Sequence, residues 1–206
     1  MGLESVEGLR AVCQEISSEQ PSPGGGTASA AAGAMAASLL IMVCGITAKS
    51  KKNEAIGPEL RNRQSELKQL RDDLIRLAAE DAAAYDRVMA SMRMRKEKPG
   101  KASEAAVQDA LVKAAQVPLA TAEGCMGVLR ISQRVAEIGT KSAKSDVGVG
   151  ILLAGAGLKG AAMNVRINAV YISDKALVEG FEGKVRALET ESDETTGRGL
   201  TILSQR

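Results

Sequence analysis

Apolar residues recur every three or four positions along most of the chain, which is the spacing of a helix face. The first such segment, residues 3–18, predicts an amphipathic helix. Six more helices are predicted, most of them separated by segments with Gly or Pro, over 27–48, 58–92, 103–116, 118–138, 146–172 and 174–191. The pattern stops there, and 192–206 is predicted to be a loose tail. We therefore predict an all-α fold in which residues 1–206 form a single domain, a bundle of six or seven helices.

The second predicted helix is unusual because residues 20–48 carry no charge. That length could span a bilayer, but most of the segment is Ala, Gly, Ser and Thr, and only 39–44 is strongly apolar. Small residues at Gly33, Ala37 and Gly45 would let neighbouring helices approach closely. We therefore expect a fully buried helix inside a soluble bundle, and no membrane partner.

The third predicted helix, 58–92, carries a heptad-like seam. Its members are Leu60, Leu67, Leu70, Leu74, Leu77, Asp81, Ala84 and Val88. Asp81 is the anomaly, because an acid at a core position costs free energy unless it is paired or neutral. Either burial raises its pKa toward that of a useful general acid or base, or the seam ends and Asp81 is solvated.

Composition removes whole classes of chemistry. The chain has no His and no Trp, and its only aromatics are two Tyr and one Phe. Without His or a C-x-x-C motif, imidazole-based catalysis and a metal site are not expected. With 27 basic and 25 acidic residues the net charge is +2, so no nucleic-acid partner is expected.

Three cysteines, Cys13, Cys44 and Cys125, lie far apart in apolar or small-residue surroundings. That usage indicates buried free thiols in a reducing compartment. The first residues carry acids and no apolar stretch of signal-peptide type. We therefore expect a cytoplasmic protein.

A glycine loop, Pro23-Gly24-Gly25-Gly26, leads into the uncharged helix, with Thr27 as its expected N-cap. Backbone N–H groups at a helix N-terminus bind anions, and glycines allow close approach, so we favour a functional loop over a simple helix break. The Lys-Ser/Thr pair of a nucleotide-binding P-loop is absent.

A second glycine motif, Gly155-x-Gly157-x-x-Gly160, matches a dinucleotide fingerprint. That fingerprint needs a strand before it and further strands after it, and none is predicted. Close helix packing is the favoured interpretation.

Polar residues in the second half supply further candidates. Asn164 and Asn168 share a helix face, which suits either recognition of a heterocycle or a hydrogen bond between helices. Ser145 and Asp146 lie at a predicted helix start, where they could act in a site or serve as N-caps. Lys49, in a short basic stretch, would suit an acidic part of a substrate or lie in a solvated loop.

Taken together, these motifs resemble the folate cyclodeaminase/cyclohydrolase family. The resemblance is carried by the segments P-S-P-G-G-G-T-A-S-A (21–30), M-V-C-G-I-T (42–47), D-A-A-A-Y-D-R-V-M (81–89), V-P-L (117–119), S-D (145–146) and N-V-R-I-N (164–168). They follow one another in the family's order over nearly the whole chain. The family includes the cyclodeaminase half of formiminotransferase-cyclodeaminase and stand-alone bacterial methenyltetrahydrofolate cyclohydrolases.

The resemblance implies an all-helical homodimer without metal or redox cofactor. It also implies a folate site in which the glycine loop (Pro23, Gly24, Gly25, Gly26), Ser145, Asn164 and Asn168 bind substrate. Asp146, Asp81 and Lys49 are then the candidate catalytic residues, with their individual roles open.

Three activities follow from the resemblance. The chain could hydrolyse 5,10-methenyltetrahydrofolate to 10-formyltetrahydrofolate, which its length without a formiminotransferase half favours. It could instead release ammonia from formiminotetrahydrofolate, or bind folate or serve as a scaffold without turnover. Thr140–Lys144 and Gly45 depart from the family pattern, which often has Asn there, and this departure supports the third alternative.

Overall fold

The computed structural model describes residues 3–206, with side chains from residue 6 onward. Its α-helices are α1 (Leu3–Ile16), α2 (Gly25–Ala48), α3 (Gly57–Glu97), α4 (Lys101–Ile138), α5 (Lys144–Ala169) and α6 (Lys175–Ser204). Short 3₁₀ turns, Lys51–Ile56 and Lys141–Ala143, precede α3 and α5. No strand occurs within 3–206, so the predicted all-α bundle of six or seven helices is confirmed with six.

Helix α2 lies at the centre of the bundle, packed against α3, α4 and α5, while α4 also packs against α3, α5 and α6. Cross-helix hydrogen bonds show that α2 and α3 run in opposite directions. Gln64, near the start of α3, donates to the Ile41 carbonyl near the end of α2. Thr27, at the start of α2, donates to the Ala78 carbonyl much further along α3.

Small residues set the spacing of the central helices. A Cβ on Gly157 would lie 2.7 Å from the Ser29 carbonyl oxygen, and one on Gly33 would lie 2.5 Å from Cys125 Sγ. Gly157 lies in the middle of α5, so the Gly155–Gly160 motif serves helix packing, as predicted. The full burial predicted for α2 is wrong within the single chain, because Met35, Met42 and Ile46 on its other side are exposed.

The predicted seam of α3 is confirmed. Leu60, Leu67, Leu74 and Leu77 are buried in the main core, and Ala84 and Val88 in a second cluster formed with α4, α5 and α6. Asp81 falls between the two clusters and is partly buried. The seam therefore delivers one carboxylate to the junction of two apolar clusters.

Two predicted boundaries are wrong around α4. The basic segment 93–101 was expected to be a loop, but α3 continues to Glu97 and only 98–100 separate it from α4. Pro118 was expected to open a new helix, but α4 passes through it without a break. Val117 and Leu119 pack into the core on either side, and this packing offsets the backbone hydrogen bond that a proline removes.

The predicted loose tail, 192–206, is also wrong. Helix α6 extends to Ser204. Beyond residue 191 it buries Leu203 and three small residues that an apolar pattern does not register, Ser192, Thr195 and Gly199. Arg206 donates to the carbonyl oxygens of Ala136 and Gly139, the latter at 2.6 Å. The C-terminal segment is therefore tied to the end of α4.

The cysteines divide into two environments. Cys44 and Cys125 are buried as predicted, and burial raises their thiol pKa values to about 11 and about 12. Cys13 was expected to be buried but is exposed, because residues 6–15 of α1 all face solvent. The two buried thiols stay protonated and unreactive near neutral pH.

Two segments, Gly25–Ala48 and Lys141–Ala169, are long and apolar enough to cross a membrane by length and composition alone. Half of each apolar window is buried against the rest of the bundle. Core helices of soluble proteins pass the same test, so length and composition alone do not distinguish a membrane-spanning helix from a core helix here.

Candidate active site

A cleft of about 310 Å³ opens between α3, α4 and α5, a volume within the range of small-molecule sites. Its walls are mostly apolar, with one acid, two amides and two phenols among them. They are formed by Asp81, Ala84, Tyr85, Val88, Met89, Met92, Leu111, Ala114, Asn164, Asn168 and Tyr171. None of these described lining residues is Lys or Arg, so Asp81 carries the only formal charge among them.

The carboxylate of Asp81, on α3, faces the N-terminus of α2. The Thr27 backbone N–H donates to its carboxylate, and a Cβ on Gly26 would lie 2.2 Å from its Oδ1 atom. The N-cap of α2 is Gly24, which has no side chain to supply that acceptor. Asp81 therefore serves as the anion at this helix N-terminus, and only glycine at position 26 leaves room for it.

The environment of Asp81 shifts its titration. Burial raises its pKa above the ordinary value of 3.8, and the hydrogen bond from Thr27 opposes that effect only in part. The sequence left open whether this acid is perturbed or solvated. The structure supports a perturbed carboxyl group, because the desolvation that raises its pKa outweighs the hydrogen bond that lowers it.

The two asparagines present acceptors. Asn168 Nδ2 donates to the Ala114 carbonyl on α4 at 2.7 Å, and Asn164 Nδ2 donates to the Gly160 carbonyl at 2.8 Å. With the nitrogens engaged, the side-chain oxygens are the atoms left to accept bonds from a ligand. Asn168 therefore makes the hydrogen bond between helices that one sequence interpretation predicted, and it also lines the cleft. Its role in recognising a heterocycle stays a prediction.

The glycine loop contacts the same site from the α2 side. A Cβ on Gly25 would lie 3.3 Å from Asn164 Nδ2, while Gly26 faces Asp81. The structure therefore brings the end of the glycine loop together with Asp81 and Asn164. The predicted N-cap role of Thr27 is wrong, since its hydroxyl bonds to the Ala78 carbonyl on α3 instead.

Tyr85, Met89 and Met92 line the cleft but were not singled out as site residues. Their signal was their position, four, eight and eleven residues after Asp81 on one helix face. On the opposite side, Gln108 holds the backbone beside Tyr171. Its amide donates to the Tyr171 carbonyl at 3.3 Å and accepts from the Ser173 N–H at 2.8 Å.

Lys49, Ser145 and Asp146 lie at the other end of the bundle. Along α5, Asp146 is eighteen residues from Asn164, about 27 Å at 1.5 Å per residue. Lys49 lies just beyond the last turn of α2, far from Gly25 at its start. Within one chain these three residues therefore do not join the cleft.

The local role expected for Ser145 and Asp146 as N-caps is wrong. Helix α5 begins at Lys144, one residue before Ser145. Its N-cap is Ala143, which makes no side-chain cap bond. Asp146 is the third helical residue, where a carboxylate still interacts favourably with the helix dipole. Thr140–Lys144, the segment that departs from the family's sequence pattern, also lies at this end of the bundle, away from the cleft.

A larger groove, about 660 Å³, runs beside α6 and is lined by residues 193–202 alone. All its lining residues belong to one helix, so no second element brings polar groups to face them. In the side chains that the structure describes, no three Cys, Asp or Glu residues are grouped to hold a metal ion. The cleft at Asp81 is therefore the strongest candidate site.

Comparison with known proteins gives three concordant results. Residues 8–187 match the family described as formiminotransferase-cyclodeaminase. The chain is 39% identical over 168 residues to a methenyltetrahydrofolate cyclohydrolase of Methylorubrum extorquens, which covers 80% of both chains. The crystal structure of a formiminotetrahydrofolate cyclodeaminase from Thermotoga maritima superposes with a TM-score of 0.86 at 27% identity, over 96% of each chain.

Longer relatives match over part of their length. The chain is 29% identical to the formimidoyltransferase-cyclodeaminase of Sus scrofa over 186 residues, which is 89% of this chain and 34% of that protein. The match to the Dictyostelium discoideum protein of the same name is 31% over 201 residues and covers 36% of that protein. The chain thus spans about a third of these relatives.

Proposed function

Because this chain belongs to the formiminotransferase-cyclodeaminase family, we propose that it is a one-carbon folate enzyme that hydrolyses 5,10-methenyltetrahydrofolate to 10-formyltetrahydrofolate. The observation that carries the proposal is the cleft itself. One carboxylate and two amide oxygens converge in a cleft with no basic side chain among its lining residues. Such a cleft favours a planar cation over an anion, and the methenyl bridge is an amidinium cation.

Asp81 is proposed as the general base. It takes a proton from water as the hydroxyl oxygen adds to the bridging carbon, which leaves a neutral tetrahedral adduct. The same proton then passes to N5 as its bond to that carbon breaks, while the adduct's hydroxyl releases its proton to solvent and becomes the formyl oxygen. A carboxylate with a raised pKa is suited to both transfers.

The cyclodeaminase reaction is the second candidate, and the Thermotoga maritima neighbour favours it. There N10 attacks the formimino carbon and ammonia leaves, which requires an acid. Asp81 in its protonated form would supply that proton, since burial favours the neutral carboxyl. Neither reaction requires a metal or redox cofactor, and we propose that both proceed without one.

Purified protein assayed against methenyltetrahydrofolate and formiminotetrahydrofolate in separate reactions tests the proposal. Loss of the methenyl chromophore with formation of 10-formyltetrahydrofolate supports the cyclohydrolase. Release of ammonia from the formimino compound supports the cyclodeaminase. Binding of either folate without turnover contradicts both and leaves a non-catalytic folate-binding protein. Full activity in the presence of a chelator is expected.

We also propose that the enzyme is a cytoplasmic homodimer, with the exposed sides of α2 and α5 as the interface. This α2–α5 face carries no charge on α2, and the α5 charges Lys159 and Arg166 are drawn toward α6 by ion pairs. Its exposed apolar members are Met35, Met42, Ile46, Val149, Leu152, Met163 and Ile167. A lipid bilayer fits less well, because the remaining sides of both helices are covered by charged helices.

Leu152→Glu is expected to convert the dimer to a monomer at micromolar concentration. Leu152 is 54% exposed in the single chain, so the charge leaves the bundle intact but must be desolvated in a dimer. Ile75→Glu is the matched control, since Ile75 is 56% exposed on α3, away from the α2–α5 face. Sedimentation equilibrium measures both. A dimeric Leu152→Glu variant would place the interface elsewhere.

In the proposed dimer, Asp146 of one chain would lie beside the cleft of the other. Asn164 borders both the cleft and the surface formed by Met163 and Ile167, so the interface reaches the rim of the cleft. Helices α2 and α5 run in opposite directions, because Gly157 lies against Ser29 whereas Gly150, earlier in α5, lies against Ala36, later in α2. A two-fold axis perpendicular to them would set the partner's Lys49, Ser145 and Asp146 beside that rim, where Asp146 would stabilise the substrate cation.

Mixed dimers test this arrangement. Asp146→Asn is expected to lower turnover about tenfold, the loss of about 1.4 kcal/mol of charge stabilisation. A heterodimer of one Asp81→Asn chain and one Asp146→Asn chain should regain about half of the wild-type activity, because one of its two sites is then unaltered. If Asp146→Asn homodimers are fully active, Asp146 has no part in the reaction.

A further inference from the structure

Helix α4 contains a proline four residues after a residue that lines the cleft. A helical carbonyl normally accepts from the N–H four residues later, but Pro118 has no N–H to give to Ala114. The side chain of Asn168 takes its place, with Nδ2 donating to the Ala114 carbonyl oxygen at 2.7 Å. The proline and the asparagine therefore act on the same carbonyl from two helices.

This bond determines which end of the Asn168 amide is available. Ala114 and Asn168 both line the cleft, whereas Pro118 is buried within α4 and does not. With Nδ2 engaged on α4, Oδ1 is the atom that remains to accept a bond from a ligand. The orientation of the amide thus depends on a carbonyl that has no competing helical donor.

We propose that Pro118 is a positioning residue, which keeps the Ala114 carbonyl free of a helical partner and thereby fixes the Asn168 amide for substrate binding. The inference rests on the proposed function and extends it, since Pro118 itself touches no substrate. Any other residue at position 118 would bring an N–H to the same carbonyl. That N–H would restore the regular helix and compete with Asn168.

The Pro118→Ala variant separates positioning from packing. It should raise KM about fivefold to tenfold, up to about 1.4 kcal/mol of lost binding, with kcat within about twofold. Its melting temperature should not fall, because alanine restores a helix bond where proline is unfavourable. A purely structural proline predicts the opposite, a lower melting temperature and an unchanged KM, and that result would overturn the proposal.

Two further variants sharpen the test. Pro58→Ala removes a proline from the first turn of α3, outside the cleft, and should change neither KM nor kcat. Asn168→Ala should raise KM, and adding Pro118→Ala to it should raise KM no further, because the proline acts through that side chain. Additive effects in the double variant would contradict the proposal.

A readout without substrate separates this inference from the proposed reaction. The side-chain amide protons of Asn168, identified in ¹⁵N spectra by their loss in Asn168→Ala, should exchange faster with solvent in Pro118→Ala. If wild-type protein turns over neither folate while this change occurs, the proposed function fails and the positioning of Asn168 stands. Unchanged amide exchange would overturn the inference whatever the activity.

Discussion

Asp81→Asn is expected to retain the fold and to bind the cationic folate more weakly, since the cleft loses its carboxylate, while turnover falls by roughly a hundredfold to ten-thousandfold, the usual effect of removing a general acid or base. The asparagine oxygen can still accept from the Thr27 N–H, so the N-terminus of α2 keeps its partner. What disappears is the group that exchanges a proton. Steady-state kinetics and a direct binding titration of the same preparation measure the two effects separately.

The pH dependence supplies a second check on Asp81. Its pKa is raised in the folded chain, so ionisation of this carboxyl opposes folding. The stability it contributes is present below the unfolded pKa, near 3.8, and is lost as the pH rises through the folded value. At neutral pH, Asp81→Asn should therefore be at least as stable as the parent.

If Asp81 is the base, activity should rise with pH, whereas the stability that the protonated carboxyl contributes is lost. Turnover by the wild type should fall on acidification through a pKa above the ordinary aspartate value, and this acid limb should be absent from the residual activity of Asp81→Asn. Near-normal turnover by the variant, or an identical acid limb, would remove Asp81 from the catalytic role.

Gly26→Ala is expected to produce the second largest loss, at least tenfold in turnover. The added methyl would lie 2.2–2.4 Å from the Asp81 carboxylate atoms, closer than non-bonded atoms approach, so the carboxylate or the start of α2 must move. Displacement of a reacting group by about 1 Å can cost about a hundredfold. The melting temperature should change little, whereas turnover falls at least tenfold.

Gly24→Ala is the matched control for Gly26→Ala. A methyl at Gly24 would meet only the Pro21 carbonyl oxygen, at an ordinary 3.6 Å, although it lies in the same glycine loop. Its loss of turnover is expected to be smaller than that of Gly26→Ala, because its methyl does not contact Asp81. If the two substitutions reduce turnover equally, the loop matters through its flexibility, and contact between Gly26 and Asp81 is not the reason for the glycine.

The sequence was most informative where a single helix decides the outcome. The leucine seam of α3 identified its buried face, and the acid within it marked Asp81 as unusual. Both inferences depend only on the helical period. The same period puts Asp86, five residues after Asp81, on another face of α3, where it is exposed.

Features that depend on several helices were not accessible from the pattern. Nothing in the sequence distinguishes the end of the bundle that holds Asp81 and Asn164 from the end that holds Lys49 and Asp146. Their separation follows from the length and direction of α2 and α5. The end of α6 was missed because, apart from Leu203, its buried contacts are made by Ser, Thr and Gly, which an apolar pattern does not register.

The aromatic content of the chain has a spectroscopic consequence. Tyr85 and Tyr171 are the only tyrosines, there is no tryptophan, and both tyrosines line the cleft beside Asp81. Intrinsic ultraviolet fluorescence of the unmodified protein therefore originates almost entirely from the candidate site. The two tyrosines are therefore an intrinsic optical probe, through which occupancy of the cleft can be followed without a label and with little background emission from the rest of the bundle.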